Sequence, residues 1–528
     1  MRLSPHWPRP RRLGLPTLVA LALVLALIVG TAFLRAYFGP VTPDQLAFHL
    51  RHGGLGYADP RLAMRAVRWG LGAVFMLGVA ALLLACVGTR GRRIVWGVLG
   101  GWAAASVAAT VTDPCRPGDA PAGADALEAH YVDPSRERFE APPEAGRPDI
   151  LVVYVESLDQ SYAAPDAPQA SPVPGLSRLQ REGQTFGALR NLSGASWTVG
   201  GIFTSLCGLP LGRVGLMSTH ALEYAPSFFR GGTCLTDVLA ALGWEVSFHG
   251  GASLRFAGKG QFLADHGVAR RFGREQWQAM GLPVPATGWG LLDTDLAEQA
   301  WRDISRPAGG GSARAPRMNL LLTVNTHGPS GAWDPTCAAE GGSPLDDDLD
   351  EAAEEAHSEP EDPASRTGVA RMHHALRCTD AAVAKLVSRF LGQADGRPKV
   401  VWVMGDHLTP RPLQDVQLPP AAATRTVFHL LVRRDANGRI VPVPRAAAAR
   451  TFTHADVMPT LAAAAGLRWG PHAPRLGVGV SLLDGSPTLA ERVGFERLDG
   501  QLSCPSPLFE RLWMGGAPGR PHVSFTFP

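Results

Sequence analysis

Lysine is nearly missing from this chain. Lys259, Lys385 and Lys399 are the only three among 50 basic residues. Charged residues make up 18% of the sequence, and the formal net charge is only +3. A dedicated nucleic-acid binder would carry a concentrated basic face, so that class is excluded. The arginine bias accompanies abundant alanine and proline and reads as composition, not as a phosphate signal. Seven cysteines in 528 residues are too few for a disulfide-built miniprotein. No pair has CxxC spacing, which argues against a structural zinc site. No internal repeat or collagen-like period is visible. What is abundant is apolar: 45% of residues are hydrophobic and the mean hydropathy is +0.02, too apolar for a disordered chain.

That apolar excess is concentrated before residue 113. Leu13–Leu34 is an uncharged run of 22 residues, long enough to cross a hydrocarbon core of ~30 Å at ~1.5 Å per residue. Trp69–Thr89 is a second run, and Ile94–Thr112 a third that is richer in Gly, Ala and Ser. The first exceeds a signal-peptide core and shows no evident small-residue cleavage site. Arg2, Arg9, Arg11 and Arg12 precede it, while Arg90, Arg92 and Arg93 separate the second and third runs. By the positive-inside rule these flanks are cytoplasmic. Three spans over 1–112 then place everything after residue 113 outside the cytoplasm. Six of the seven cysteines (Cys115, Cys207, Cys234, Cys337, Cys378, Cys504) fall on that side, where disulfides persist.

Residues 113–148 are rich in Pro and charge and read as a linker or lightly structured arm. From residue 149 to 528, short β-branched runs alternate with helical stretches, the pattern of an α/β domain. Ile150–Val155, Met318–Val324, Lys399–Met404 and Val427–Val432 are the candidate strands. Stretches 233–242, 369–391 and 454–466 are expected to be helical. Residues 340–362 hold eleven acidic residues and no Lys or Arg. They read as a solvated insertion, lacking the loop glycine and regular spacing of a calcium site.

Three of these strands end in residues competent for chemistry. The first runs into Glu156-Ser157, the second into Asn325-Thr326-His327-Gly328-Pro329, and the third into Gly405-Asp406-His407. Ligands of open α/β sheets bind at the carboxyl ends of strands, so these ends are candidates to converge. Glu156, Asp406 and His407 supply two anionic oxygens and one imidazole nitrogen, suited to Mn²⁺ or Zn²⁺ and less strongly to Mg²⁺. Thr198, in Ser-Gly-Ala-Ser-Trp-Thr-Val-Gly-Gly, stands at an expected helix start. A helix N-terminus and a nearby cation would both stabilise its alkoxide.

The ordered motifs over residues 150–485 resemble the membrane-anchored phosphoglycerol transferase and lipoteichoic acid synthase branch of the alkaline phosphatase–sulfatase superfamily. They are Ile150–Leu158 (ILVVYVESL), Trp197–Leu211 (WTVGGIFTSLCGLPL), His249–Lys259 (HGGASLRFAGK), Gly405-Asp406-His407 and Thr453–Leu461 (THADVMPTL). Val41–Leu50 (VTPDQLAFHL) is similar to the loop after the first span of that family. The resemblance implies a mixed central sheet flanked by helices, with Thr198 as nucleophile and Glu156, Thr198, Asp406 and His407 as ligands of one divalent metal, Mn²⁺ foremost. It implies that His327 faces the substrate phosphoryl or leaving oxygen and that Trp333 lines a glycerol site. Lipoteichoic acid synthases carry a further substrate-facing His three residues before an Asp. Here Arg377 holds that place before Asp380, with His373 and His374 a turn earlier, and the sequence leaves open which of the three reaches the site. His454 reads as structural.

The function expected on this reading is transfer of glycerophosphate from phosphatidylglycerol to a periplasmic glucan or other oligosaccharide, releasing diacylglycerol through a Thr198 intermediate. A phosphoethanolamine transferase fits the Trp-Thr and Cys-Gly-Leu-Pro context less well. A sulfatase would need Cys/Ser-x-Pro-x-Arg, and Cys207-Gly-Leu-Pro-Leu-Gly-Arg213 has the wrong spacing. A non-enzymatic envelope scaffold is the remaining alternative, opposed by the ligand set. Two disulfides are expected: Cys207–Cys234, bracketing a loop after the Thr198 helix, and Cys337–Cys378, closing the acidic insertion onto the following helix. Cys115–Cys504 is the remainder.

Overall fold

The computed structural model describes residues 12–38, 60–110, 125–164, 166, 171–212, 221–286, 288–307, 314–328, 331–337, 363–409, 425–442 and 450–515. The loop at Val41–Leu50, the acidic stretch 340–362 and Cys115 lie outside them. The chain divides into two compact units, Met1–Pro117 with Arg213–Pro226, and Gly118–Gly212 with Ser227–Pro528.

The first unit contains helices α1 (Leu15–Phe38), α2 (Pro60–Cys86) and α3 (Thr89–Thr110). Leu21, Leu25 and Ile28 of α1 bury a seam with Ala80 and Leu84 of α2 and Ala103 of α3. The opposite faces are apolar too, with Leu23, Val74, Phe75 and Leu82 exposed. A helix apolar all round belongs in lipid or a large core, not against water. Two segments, Leu15–Ala36 and Met64–Cys86, are long and apolar enough to cross a membrane. The third expected run is helical, but Arg90, Arg92 and Arg93 fall inside its first turns. Arg35 near the end of α1 donates to the Ala109 carbonyl near the end of α3 (2.9 Å), and Arg92 donates back to Leu84 of α2 (2.9 Å). The two bonds place the ends of α1 and α3 together and make α2–α3 a hairpin.

The second unit is built on a six-stranded sheet: β1 (Asp149–Val155), β2 (Glu245–Gly250), β3 (Arg270–Phe272), β4 (Arg317–Leu322), β5 (Lys399–Gly405) and β6 (His429–Arg434). The strand order is β3-β2-β4-β1-β5-β6. Every pairing is parallel except β5 with β6, so the sheet is mixed, as expected. β1 is buried on both sides along its whole length, which is why its sequence is a continuous apolar run and not an alternating one. Leu151, Val153 and Val155 face helices α4 (Pro174–Glu182), α6 (Asp293–Ile304) and α7 (Pro363–Leu391). Tyr154 points the other way, its hydroxyl 2.8 Å from Ser205 on helix α5 (Thr198–Cys207). At the amino end of the sheet, Asp149 and Asp395 pair with buried Lys399 and with Arg314, so no buried charge is left alone.

Among the described residues, two disulfides tie this unit together. Cys207–Cys234 spans 27 residues and Cys337–Cys378 spans 41. Chain-entropy estimates for such loops give roughly 3–4 kcal/mol each. One expectation needs correction. From residue 125 the segment 113–148 is not a loose arm but part of the unit. Arg138–Glu140 pairs with Arg468–Gly470 and buries Phe139, while Ala126, Leu127 and Val132 are also buried.

Candidate active site

β1 lies between β4 and β5, so the three strand ends singled out by their residues are immediate neighbours. In the ladder Val155 is level with Gly405 and Tyr154 with Leu322. The next residues, Glu156 and Asp406, therefore emerge side by side. Ser157 turns the chain with φ of 54°, a left-handed conformation rare for a non-glycine residue and concentrated at functional sites. Its N–H donates to Asp406 Oδ1 (2.7 Å) and its hydroxyl to Glu156 Oε1 (2.8 Å). Thr326, past β4, donates to the Glu156 carbonyl (2.7 Å), and Thr323 accepts the Glu156 N–H (3.0 Å). The end of β1 thus holds the Asp406 carboxylate, and the end of β4 holds the Glu156 backbone.

The helix Thr198–Cys207 brings the hydroxyl. Thr198 is its first residue, and its Oγ1 donates to Glu156 Oε2 at 3.2 Å. Gly201 explains the close approach: a Cβ there would lie 1.9 Å from the Asp406 carbonyl oxygen. Only a residue without Cβ lets the helix rest directly on the β5 end.

Glu156, Asp406 and His407 are all buried, and one ligand atom from each lies within 4.8 Å of the others. His407 Nε2 is 3.3 Å from Glu156 Oε1 and 3.5 Å from Asp406 Oδ2. Its Nδ1 faces the Leu408 carbonyl at 2.8 Å, which fixes the proton on Nδ1 and leaves Nε2 to coordinate. Asp406 Oδ1 accepts from Ser157 and His407 backbone N–H groups, while its buried Oδ2 has no hydrogen-bond partner among the described residues. Burial and the charge of Glu156 push the Asp406 carboxyl up to about 7. Burial opposes ionisation of Glu156 too, but His407 and His327 outweigh it and hold the carboxyl down to about 2. Burial likewise disfavours the His407 cation, yet Asp406 and Glu156 raise it to about 10. Two carboxylates around an imidazolium form a pocket that favours one positive charge, and the oxygen–nitrogen donor set fits a divalent ion. A second cluster, Cys234, Asp237 and His266, is closed to metal because Cys234 is in a disulfide.

His454 is fully buried with Nε2 2.9 Å from the Asp406 carbonyl, and burial lowers it to about 4; it is a neutral brace behind Asp406. His327 is half-buried, its ring 4.0 Å from that of Trp289. Trp333 is 47% exposed and lies flat on His374, with centroids 3.8 Å apart. His374 Nε2 is 3.0 Å from the Asp334 carbonyl. His373 is exposed and Arg377 is half-buried. Asp380 accepts from the Gly175 and Leu176 N–H groups (2.7 and 2.6 Å), anchoring the start of α4.

Lys259 escaped the sequence reasoning. It is 1% exposed, and burial lowers its ammonium to about 8 against the attraction of Glu156, Glu275 and Asp406. The signal was composition: it is one of three lysines in an arginine-rich chain, and it closes the motif His249–Lys259.

A family model described as Sulfatase matches residues 148–467, more than half of the chain. The chain belongs to the sulfatase family. Among curated proteins it is similar to phosphoglycerol transferase I of Xanthomonas campestris pv. campestris, 29% identical over 282 residues (51% of this chain, 35% of that protein). It is similar also to phosphoglycerol transferase I of Escherichia coli, 33% identical over 215 residues (40% of this chain, 26% of that protein). The matched part spans about a third or less of those proteins' length. Among solved structures it is similar to a protein in the alkaline phosphatase superfamily from Vibrio parahaemolyticus, 18% identical with a TM-score of 0.47, covering 70% of this chain and 79% of that one.

Proposed function

We propose that this sulfatase-family chain is a phosphoglycerol transferase. It moves glycerophosphate from phosphatidylglycerol to a hydroxyl of a periplasmic glucan or similar oligosaccharide and releases diacylglycerol. The observation that carries the reading is the convergence of the Thr198 hydroxyl with Glu156, His407 and the unpartnered buried Asp406 Oδ2. A sulfatase reading lacks its signature, and the relatives named phosphoglycerol transferase I favour the glycerol branch.

Glu156, Thr198, Asp406 and His407 would hold one divalent ion, Mn²⁺ before Mg²⁺ or Zn²⁺. When bound, it supplies positive charge to the nucleophile and the phosphoryl oxygens. Thr198 Oγ forms a bond to phosphorus as the bond to the diacylglycerol oxygen breaks, and that oxygen takes up a proton. Glu156 Oε2 orients the attacking hydroxyl through the hydrogen bond it accepts. An acceptor hydroxyl then forms a new bond to phosphorus and displaces Thr198. His327 faces the phosphoryl or leaving oxygen, Trp333 lines the glycerol, and Arg377 or a nearby His contacts substrate. Residues 1–112 anchor the chain in the inner membrane by several spans, and the domain 149–528 works in the periplasm beside its lipid donor.

The test uses full-length protein in detergent with head-group-labelled phosphatidylglycerol, with and without oligosaccharide. Thr198→Ala is expected to abolish diacylglycerol release and Thr198→Ser to retain part of it. Mass spectrometry without acceptor should find glycerophosphate on the peptide containing Thr198. Release by Thr198→Ala at near wild-type rate would overturn the covalent route; cleavage of phosphatidylethanolamine alone would move the chain to another branch.

A further inference from the structure

Trp289, like Trp333, is built unlike the buried tryptophans of the domain. Trp244, Trp277 and Trp469 donate their indole N–H groups to backbone carbonyls, and Trp277 and Trp402 are fully buried. Trp289 is 43% exposed, and its indole N–H has no acceptor among the described residues. Yet the ring is fixed in place. Phe256 meets it edge-on at 5.9 Å and His327 packs against it at 4.0 Å. Arg274 pins its loop by donating to the carbonyls of Pro285, Ala286 and Gly288. Gly290 seats the next residue where a Cβ would fall 1.9 Å from the Gly251 carbonyl oxygen. These contacts set the ring where part of it stays open to solvent and within reach of a ligand.

Its position indicates what that ligand is. Thr326, the residue before His327, donates to the Glu156 carbonyl at 2.7 Å, so the Trp289 ring packs on a histidine whose chain neighbour is bonded to the end of the Glu156 strand. Asn325 ties the surroundings together. It exchanges hydrogen bonds with Asp293, four residues after Trp289, and its carbonyl accepts from Ala332, the neighbour of Trp333. An open aromatic face with a free N–H donor at its edge matches a pyranose ring, whose C–H face is apolar and whose hydroxyls accept hydrogen bonds. A lipid tail would use the face but leave the N–H unpaired.

We propose that Trp289 is the stacking platform of an acceptor subsite that binds a sugar residue of the oligosaccharide and presents its hydroxyl beside His327. This rests on the transferase reading above and adds to it a specificity-determining residue. Trp289→Ala removes both the stacking face and the indole donor, so it should raise KM for acceptor roughly tenfold, about 1.4 kcal/mol.

The experiment uses full-length protein in a detergent without a sugar head group and linear glucose oligomers as probe. Binding is read by saturation-transfer NMR, and acceptor KM and kcat by glycerophosphate transfer. Trp289→Ala should lose most of the NMR signal and show the roughly tenfold rise in KM, with Trp289→Phe restoring much of both because the ring returns. Unchanged oligomer binding and KM in Trp289→Ala would overturn the proposal. So would weakened binding to phosphatidylglycerol vesicles with oligomer binding intact, which would make the ring a lipid contact. If the wild type binds oligomers through Trp289 yet transfers nothing to them, the subsite stands and the transferase reading falls.

Discussion

Gly201→Ala asks whether the Thr198 helix must rest on the β5 end. The added Cβ would stand 1.9 Å from the Asp406 carbonyl oxygen. Ordinary C···O contacts begin near 3.3 Å, so helix and strand end must separate by about 1.4 Å. The obstacle is backbone, with no flexible side chain to swing aside. Overpacking of this kind costs about 1–3 kcal/mol, and the better helix propensity of alanine returns about 0.5–1 kcal/mol. The melting temperature should therefore fall only modestly. Thr198 rides on the same helix three residues earlier, and its 3.2 Å hydrogen bond to Glu156 cannot survive such a shift. Displacing a reacting group by about 1 Å costs on the order of a hundredfold in rate. The assay is diacylglycerol release from phosphatidylglycerol, alongside thermal unfolding. Gly485→Ala, whose Cβ would meet nothing within 4 Å, is the control expected to change neither. A Gly201→Ala enzyme with kcat within about threefold of wild type would show that this contact does not set the attack geometry.

Two further outcomes follow from buried histidines. His429 Nε2 accepts the Phe186 N–H at 3.0 Å, and burial lowers it to about 4. The unfolded chain takes up this proton first, so stability is full above pH ~6.5 and declines as pH falls toward the folded value. By pH 5 the loss is about 2 kcal/mol. Denaturant unfolding of His429→Gln should be flatter between pH 7 and pH 5, and an unchanged pH slope would sink the assignment. His407, raised by Asp406 and Glu156 to about 10, carries a proton at pH 7.5 that a cation on Nε2 must displace. Titrating chelator-stripped protein with Mn²⁺ should release about one proton, read calorimetrically in two buffers of different ionisation enthalpy. Heat independent of the buffer would refute it.

The sequence announced the centre of this fold and hid its margins, for one physical reason. Ile150–Val155 and Lys399–Met404 are buried on both faces, so they appear as unbroken apolar runs, and the polar residues ending them stand out by contrast. Arg138–Glu140 buries only Phe139, a signal too short to separate from a loop, and so an integral strand reads as part of a linker. Contacts made between distant side chains left no local trace. His374 and Trp333 are far apart in sequence and meet only because the loop after β4 folds onto α7, closed by Cys337–Cys378. Trp289 lies outside any periodic segment and shows its role only when its exposure, pinned loop and His327 contact are seen together.

Lys259 marks the boundary between the two cases. Its motif was visible, but a lysine gives no sign in sequence of being buried. In the fold its ammonium lies within electrostatic reach of both Glu156 and Asp406, and among the described residues it has no ion-pair partner. The candidate site therefore gathers its negative charge from two adjacent strand ends and sets a desolvated ammonium against it. The same step that makes β1 the central strand, insertion between β4 and β5, brings Glu156 against Asp406 and creates the demand for a cation there. Fold and chemistry are specified together: a register slip of one residue between β1 and β5 would turn Glu156 to the opposite face and remove the site while leaving the sheet hydrophobic.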